Sequence, residues 1–414
     1  MKILYITMCL PYENVSHAGG KTVYYYMSQL SKKANLTLIS KVRDSEKKYL
    51  KKIPNNCKLY QVCLPENKMK RICAYLGGIN SKVNPYYRYG NTLLKYIYMK
   101  MLRLISNLKT SGYYPDVIIM EWTQISLMIN DIKKIYPDAL YISSEHDITF
   151  QSLERKISKS KGFVKLYYNC QYKNFKKREL SCLAKSDIIL IQSEKDKDIL
   201  INNRINRKKL LVISPFYMST NRKWKGKGKN NIVIYGDMSR IENYGAAIWF
   251  IENVFSKIDN SRIKLYILGG NPSKELYKYE NERIIITGFV NSIFDYLDDS
   301  FCMVAPLQIG AGIKVKCIEA LSYGIPLLAN DIAIEGIDVI SGVDYLHCNT
   351  ADEFLYNINK LYSNIELQSF ISDNSIFNSK KHFNLDISFQ NFFNFILNGL
   401  RDKNCKGENL ETKN

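Results

Sequence analysis

No apolar run in this 414-residue chain approaches the roughly eighteen residues that a membrane-crossing helix needs. The N-terminal MKILYITMCL lacks both a basic stretch and a small-residue cleavage site, so it reads as a first β-strand rather than a leader, and the expected location is the cytoplasm. Ten cysteines are present, yet no two form a CxxC pair and none stands at metal-ligand spacing to one of the four histidines. That argues against a zinc site and against a secreted disulfide framework, and the cysteines are expected to be reduced, mostly buried, small apolar residues. No internal repeat and no low-complexity tract interrupts the chain, and a 46% hydrophobic composition is that of a globular protein large enough for two to three domains.

Acidic side chains are the other shortage: 39 Asp and Glu stand against 59 Lys and Arg, a formal charge of +20. The imbalance is local. Residues 41–109 hold 16 basic and 3 acidic side chains, a net of +13. Such a field attracts polyanions, which leaves nucleic acid, an anionic bilayer surface or a pyrophosphate-bearing acceptor as partners, beside the plain alternative of solvated surface lysines. Residues 154–178 add nine basic residues interleaved with Phe163, Leu166, Tyr167, Tyr168, Tyr172 and Phe175, a mixture that suggests an interfacial helix. No helix-turn-helix, zinc-finger or aromatic RNA-binding pattern accompanies the charge, so nucleic acid is not an expected partner.

Short apolar runs alternate with longer amphipathic ones. KILYIT, NLTLIS, KLYQVCL, DVIIME, LYISS, DIILIQ and LLVIS read as strands, with helices near 20–33, 88–109, 124–136, 151–184 and 193–203. NRKWKGKGKN (Asn221–Asn230) has glycine and charge but no periodicity and reads as a linker. A second series follows: NIVIYG, a helix at 242–259 with Ala247, Phe250, Ile251, Val254 and Ile258 as its packing stripe, IKLYILGG, RIIITGFV, a short helix near 291–298, CMVAPL, a helix at 312–323, PLLAN, and only helices after Ala351. Such alternation predicts two α/β domains, each with a mostly parallel sheet covered on both faces, and a cleft between them.

The stretch APLQIGAGIKVKCIEALSYGIPLLANDIAIEGI (Ala305–Ile337) carries the most chemistry. A short apolar strand leads into Gly310-Ala311-Gly312, then a helix that ends at Tyr323-Gly324. Ile313, Cys317, Ala320 and Leu321 share one face of that helix, and Lys316, Glu319 and Tyr323 the neighbouring one. Free N–H groups after small residues, the charge of Lys316, and Glu319 one turn deeper to accept from vicinal hydroxyls form a phosphate and ribose pocket. A GxG before a helix is otherwise simply a tight turn. Lys314 and Lys316 both reach such a ligand only if the helix begins after Lys314.

The pattern APLxxGAGIKxKxxEALSxGIPLLAN, together with IVIYGDMSRIENYGAAIWFIENV, LYILGGNPSKEL and RIIITGFV, resembles the donor site of the group 1, family 4-like retaining glycosyltransferases of GT-B fold. MKILYITMCLPYENVSHAGGKTVYYYMSQL and SSEHDITFQSLERK resemble that family's first strand-loop-helix and a central loop. The resemblance implies two Rossmann-like domains with mostly parallel sheets facing across a cleft. The acceptor-side domain is expected over 1–220, the linker over 221–230, the nucleotide-sugar domain over 231–375, and a helix at 376–400 is expected to pack back on the first domain, ahead of a flexible tail at 401–414. It implies a nucleotide-sugar donor, retention of configuration, and a glycan or lipid-linked acceptor of the kind found in bacterial surface polysaccharide synthesis. The enzyme would be cytoplasmic and peripheral on an anionic membrane surface.

Carried over by residue, His146, Lys316 and Glu319 are the expected catalytic residues. Gly19, Gly20, Arg240, Gly310, Ala311, Gly312, Ile313 and Lys314 are the expected donor-binding ones. Arg240 occupies a position where relatives carry a basic donor contact, but the usual Arg-then-Lys spacing is missing, and a plain surface arginine reads the same way. His146 is either a structural hydrogen-bonder or a site residue, with Glu145 and Asp147 as its expected orienting partners. One departure is specific: the family's Glu-x7-Glu places its second glutamate at Glu319 and finds Ala311 at the first, so backbone amides of residues 310–313 are expected to replace that carboxylate. No paired carboxylates suggest an enzyme nucleophile. Lysines and helix N–H groups neutralise the leaving diphosphate, so neither a metal nor a further cofactor is expected. A nucleotide-sugar epimerase of the same fold, or a basic nucleic-acid-binding protein, are the alternatives.

Overall fold

The computed structural model describes residues 1–13, 15, 17–83, 93–217, 223–310 and 312–411. Ala311 and residues 221–222 of the expected linker lie outside the described residues. The chain divides into two compact units, Met1–Phe216 with Leu385–Asn414, and Tyr217–Asn384.

In the first unit β1 (Lys2–Thr7), β2 (Asn35–Lys41), β3 (Cys57–Val62), β4 (Val117–Glu121), β5 (Leu140–Ser144), β6 (Ile188–Ile191) and β7 (Leu210–Val212) form a seven-stranded sheet in the order β3-β2-β1-β4-β5-β6-β7. Every pair is parallel. The connecting helices are α1 (Ala18–Ser31), α2 (Lys68–Val83), α3 (Lys95–Thr110), α4 (Thr123–Ser126), α5 (Ile129–Ile135), α6 (Thr149–Lys159), α7 (Gly162–Lys185) and α8 (Glu194–Asn202). Alternate residues of each strand feed opposite faces. Leu4, Ile6, Ile118, Met120 and Tyr141 pack with α3, α5 and α7, while Ile3, Tyr5, Ile119, Leu140 and Ile142 pack with α1. Burial on both sides is why the inner strands are rich in Ile, Leu and Val, whereas β3, at the edge, is only partly buried.

In the second unit β8 (Asn231–Tyr235), β9 (Lys264–Leu268), β10 (Ile284–Gly288), β11 (Ser300–Ala305), β12 (Leu327–Ala329) and β13 (Leu346–His347) form a six-stranded parallel sheet in the order β10-β9-β8-β11-β12-β13. Its helices are α9 (Ile241–Asn253), α10 (Phe294–Asp298), α11 (Val315–Tyr323), α12 (Asp331–Ile334), α13 (Ala351–Ser363) and α14 (Ile365–His382). The stripe Ala247, Phe250, Ile251, Val254 and Ile258 is fully in the core, although α9 itself stops at Asn253 and a short 3-10 turn carries the rest. Thr350 and Glu353 close a capping box at the start of α13, and Gly324 ends α11 in the left-handed conformation at φ 87°.

The final helix, α15 (Leu385–Glu411), belongs to the first unit. Phe389, Phe392 and Ile396 enter the core beside α1, Tyr26 Oη meets Ser388 Oγ at 2.6 Å, and a Cβ on Gly399 would lie 3.2 Å from Leu140. Each of those three apolar side chains contributes about 2 kcal/mol when fully buried. The helix starts at Leu385 instead of 376, because residues 365–382 form α14, which packs in the second unit and has Phe383 as its C-cap. It also runs on through the expected tail as far as Glu411.

Three more expectations are corrected. The long helix at 151–184 is two helices, broken where Ser160 and Lys161 are extended and Gly162 takes φ 55°. That leaves the aromatic residues in different surroundings: Phe175 is core, Tyr168 and Tyr172 are partly buried against it, and Phe163 and Leu166 stay exposed. The helix expected at 312–323 begins only at Val315, with Lys314 as its N-cap. Of the helix expected at 88–109, residues 88–92 lie outside the described residues and the described part forms α3 from Lys95 to Thr110; α2, which was not expected, precedes it. No described helix is long and apolar enough to cross a membrane.

Candidate active site

Both sheets reverse strand order beside their first strand, between β1 and β4 and between β8 and β11. In open parallel sheets ligands gather at the carboxyl ends of the strands flanking such a reversal. Gly19 and Gly20 follow β1, Arg240 follows β8, and Gly310, Gly312, Ile313, Lys314, Lys316 and Glu319 follow β11, while His146 follows β5, the neighbour of β4.

In the second unit β8 runs into Gly236, whose tightness is physical: a Cβ there would fall 2.9 Å from the Asn243 amide. Asn243, in the first turn of α9, donates from Nδ2 to the Asp237 carbonyl at 2.9 Å and accepts from Lys316 Nζ, also at 2.9 Å. Lys316 thus ends on a neutral amide oxygen in the first turn of α11. Burial pushes its ammonium down to about 8, and the positive charges of Lys314 and Arg240 act in the same direction. A desolvated cation among cations is stabilised by an arriving anion.

Lys314, as the N-cap, turns back onto the Gly312 carbonyl and stands 4.0 Å from Glu335. The condition for both lysines to serve one ligand, a helix that begins after Lys314, is met. Gly310 and Gly312 have φ 157° and 67°, and a Cβ on Gly310 would lie 2.9 Å from Lys314 Cε. A side chain at either position would strain the loop or push Lys314 aside. Ile313 is partly buried in the same loop.

Glu319 is buried, not open along a helix face, and its Oε2 accepts from Tyr235 Oη at 2.8 Å. The same hydroxyl lies 3.0 Å from the Lys316 carbonyl, so Tyr235 ties β8 to α11. Burial, reinforced by Glu319, holds the Tyr235 phenol well above its usual range and therefore protonated. Tyr235 was not among the sequence candidates, although a tyrosine ending an otherwise aliphatic strand, NIVIY, was a usable signal. Arg240 is the N-cap residue of α9, largely exposed, with its guanidinium 3.4 Å from Glu242. That is the arrangement of a surface arginine at the rim of this loop cluster.

In the first unit His146 follows β5 and joins three neighbouring strand ends. Its Nε2 lies 3.0 Å from Glu121 Oε2 at the end of β4, and Gln192 Nε2, just after β6, lies 2.8 Å from its Nδ1. Its ring stacks on Trp122 with centroids 4.8 Å apart. Tyr5 Oη, from β1, donates to the other oxygen of Glu121 at 2.5 Å. The carboxylate on Nε2 can accept a ring N–H there, while the Gln192 amide can donate to Nδ1.

Glu121 and Gln192 are therefore orienting partners of the ring, and Glu145, one of the two expected, is not. Consecutive residues at a strand end project in opposite directions, and Glu145 accordingly points into the core, to the hydroxyls of Thr123 and of Ser126 at 2.8 Å. Burial raises the Glu145 carboxyl to about 7 and also raises Glu179, which receives Thr149 N at 2.9 Å and Phe150 N at 3.0 Å at the head of α6. These two acids anchor the chain on either side of His146. Sequence could have offered Glu121 and Gln192 as polar residues closing the aliphatic strands DVIIME and DIILIQ.

The Gly19-Gly20 pair opens α1 and its two members differ. A Cβ on Gly20 would fall 2.6 Å from the ring of His17, whose Nδ1 caps the helix by accepting from Gly20 N at 2.9 Å. Gly20 is thus required for packing. A Cβ on Gly19 would reach only ordinary contact, 3.4 Å from His146 Nδ1 and 3.5 Å from Trp122. Gly19 faces the His146 cluster.

Residues 229–364 match the family model described as Glycosyl transferases group 1. The match lies within the second unit and runs from β8 to α13. No curated protein matches the chain in sequence. Among solved structures, HepE of Anabaena in complex with UDP is 11% identical, with a TM-score of 0.65 over 96% of this chain and 100% of that one. Sucrose-phosphate synthase of Thermosynechococcus elongatus is 11% identical, with a TM-score of 0.67 over 95% and 98%. WaaB, described as a lipopolysaccharide outer core galactosyltransferase and solved in its apo form, is 15% identical, with a TM-score of 0.64 over 96% and 99%. At these identities the likeness establishes the fold, which is GT-B.

Proposed function

We propose that this chain is a glycosyltransferase that takes a sugar from a nucleoside diphosphate donor and places it, with retention of configuration, on a glycan or lipid-linked acceptor at an anionic membrane surface, within bacterial surface polysaccharide synthesis. The observation that carries the reading is Lys316: a desolvated ammonium held by an amide oxygen, beneath a loop of two positive-φ glycines, at the strand reversal of a group 1 glycosyltransferase domain. Anions of the diphosphate class fit that arrangement, with the N–H groups at the start of α11 completing it.

In this reading Lys316 and the α11 N–H groups take up the charge that develops on the leaving diphosphate as the anomeric C–O bond breaks. Glu319, positioned by Tyr235, accepts from the donor's ribose. The acceptor oxygen forms its bond to the anomeric carbon from the face the phosphate is leaving, and its proton passes to a departing phosphate oxygen. Nothing in this sequence of events calls for a metal or a further cofactor. His146 acts from the first unit, its ring fixed by Glu121, Gln192 and Trp122.

UDP and UDP-glucose, which were solved with HepE, are the first nucleotides to try. The test is calorimetric titration of UDP and other nucleoside diphosphates, followed by turnover of the matching sugars and assignment of the anomeric configuration of the product. A chain that binds no nucleoside diphosphate, or yields an inverted product, overturns the reading.

A further inference from the structure

Exposed apolar side chains are concentrated in one part of the first unit. α2 presents Met69, Ile72 and Leu76 to solvent; they lie three and four residues apart and so form one stripe, with Tyr75 at its edge. Met69 is 70% exposed. α3 turns Tyr96 and Met99 outward, opposite the face that buries Ile97, Met101 and Ile105. Between the two helices runs a groove of about 660 Å³ lined by Cys73, Ala74, Tyr96, Met99 and Leu104, with Lys70, Lys95, Lys100 and Arg103 along its walls. α2 and α3 together contain eight basic residues and no acidic one.

A second apolar cluster belongs to the same end of the unit. The turn between α6 and α7 and the first residues of α7 read KGFVKL (Lys161–Leu166), every one exposed, with Phe163 at 90%. α3 precedes β4 and α7 precedes β6 in a parallel sheet, so both helices run against the strands and start at the strands' carboxyl ends. Both pack with α5 in the core on one face of the sheet. Tyr96, Met99, Phe163 and Leu166 therefore share one side of the sheet, at the end of the unit where the His146 cluster also sits.

An exposed phenylalanine, methionine and leucine are costly in water and useless for phosphate contacts alone, but they are what enters the acyl boundary beneath anionic headgroups, while the lysines around them stay at the surface. We infer that the outer faces of α2 and α3, with the Lys161–Leu166 turn, form the surface by which this chain docks on an anionic phospholipid bilayer, the apolar side chains inserting and the lysines meeting phosphate. The inference deepens the proposed function, since it rests on an acceptor that is membrane-borne and names where the membrane is met. Charge complementarity selects the occupant. A nucleic acid would use the lysines and leave Phe163 and Met69 in water.

The test is flotation of the full chain with vesicles of phosphatidylglycerol and phosphatidylcholine, against pure phosphatidylcholine, across a salt series. Wild type should float with the mixed vesicles at low salt and much less with the neutral ones. Replacing Lys161 and Lys165 by Gln should weaken binding about fivefold per charge at low salt. The double variants F163S/L166S and M69S/I72S should each weaken it by at least roughly tenfold and leave the residual binding more salt-sensitive. All of these side chains are exposed, so the variants should fold as wild type, checked by circular dichroism, and bind nucleoside diphosphate as wild type does. Apolar variants that float like wild type, equal binding to neutral vesicles, or displacement of the protein from mixed vesicles by an RNA homopolymer would each overturn the inference. Loss of vesicle binding with unchanged nucleotide binding and turnover on a soluble acceptor leaves the glycosyltransferase reading standing, whereas normal flotation without nucleotide binding removes that reading alone.

Discussion

Glu121 closes β4 and His146 follows β5, and the two meet with Oε2 and Nε2 3.0 Å apart, while Tyr5 from a third strand holds the other oxygen of Glu121. A histidine with both nitrogens engaged cannot turn, so what it offers a substrate is a fixed ring edge and a fixed backbone. Glu121→Ala would leave Tyr5 Oη and His146 Nε2 without their acceptor in a buried site, at a cost of about 2 kcal/mol in stability. Turnover should fall by roughly ten- to a hundredfold, at or below the scale of losing one stabilising donor. Glu121→Gln keeps an acceptor for His146 and should recover most of the stability. Thermal unfolding and kcat of the two variants check this; an Ala variant with wild-type turnover would mean that the cluster is purely structural.

His146→Ala should lower kcat while nucleoside diphosphate affinity stays within a few fold, because the proposed nucleotide contacts lie in the second unit and the effect belongs to the reacting state. Calorimetry beside kinetics separates the two. A variant that loses nucleotide affinity but turns over normally at saturation would show that His146 serves ground-state binding.

The two adjacent glycines give opposite expectations. Gly20→Ala places a Cβ 2.6 Å from the His17 ring that caps α1, so it should cost stability, about 1–3 kcal/mol for an overpacked site. Gly19→Ala meets only ordinary contacts beside His146 and Trp122 and should leave the melting temperature unchanged or raised. Its effect should appear in turnover. Equal melting temperatures for the two variants would remove the distinction.

Glu145 and Glu179 should leave a mark on the pH dependence of stability. The folded-state pKa of Glu145 is raised, mainly by burial, to about 7, so the native state holds a proton that the unfolded chain releases at its ordinary carboxylate value. That stabilisation is present below the unfolded pKa and is lost as pH rises through the folded one. Glu145→Gln should therefore lose less stability than wild type between about pH 5 and about pH 8, measured as melting temperature in matched buffers. Parallel curves would show that the acid is ionised in its site.

All the strands except the two-residue β13 were legible, because burial on two faces calls for aliphatic runs, and IVIYGD and VAPLQIGAG punctuate theirs with glycine at the strand ends. α2 was not recognised, because its stripe of Met69, Ile72 and Leu76 faces solvent and marks no core. The break at Gly162 rests on one residue at positive φ inside a sequence that is otherwise periodic enough for a single helix. Within the site, Lys316 and Glu319 could be read because they lie one turn apart on one helix. Tyr235 and Glu121 stand out in the sequence only as polar residues ending aliphatic strands; their partners, like that of Asn243, could not be read, since the contacts span 84, 25 and 73 residues.

Lys316 allows the sharpest test of the donor site. Burial lowers its ammonium to about 8 from its ordinary value of 10.5, so in the free protein the group loses its proton just above neutrality. A bound diphosphate stabilises the charged form and raises that pKa, which by linkage makes affinity fall as pH rises through the free-state value. UDP affinity should drop by roughly tenfold between about pH 7 and about pH 9.5, with proton uptake on binding near pH 8. Lys316→Met, which keeps the stem and removes the charge, should bind weakly at every pH, with neither the slope nor the proton uptake, and its turnover should fall by roughly ten- to a thousandfold. Glu319→Ala should reduce turnover on the same scale but also cost stability, because Tyr235 loses its buried acceptor. Calorimetry in buffers of different ionisation enthalpy measures the proton count directly. A wild-type protein that takes up no proton near pH 8, or a Lys316→Met variant that retains the pH slope, would place the diphosphate on another group and detach the glycine loop of residues 310–313 from the donor.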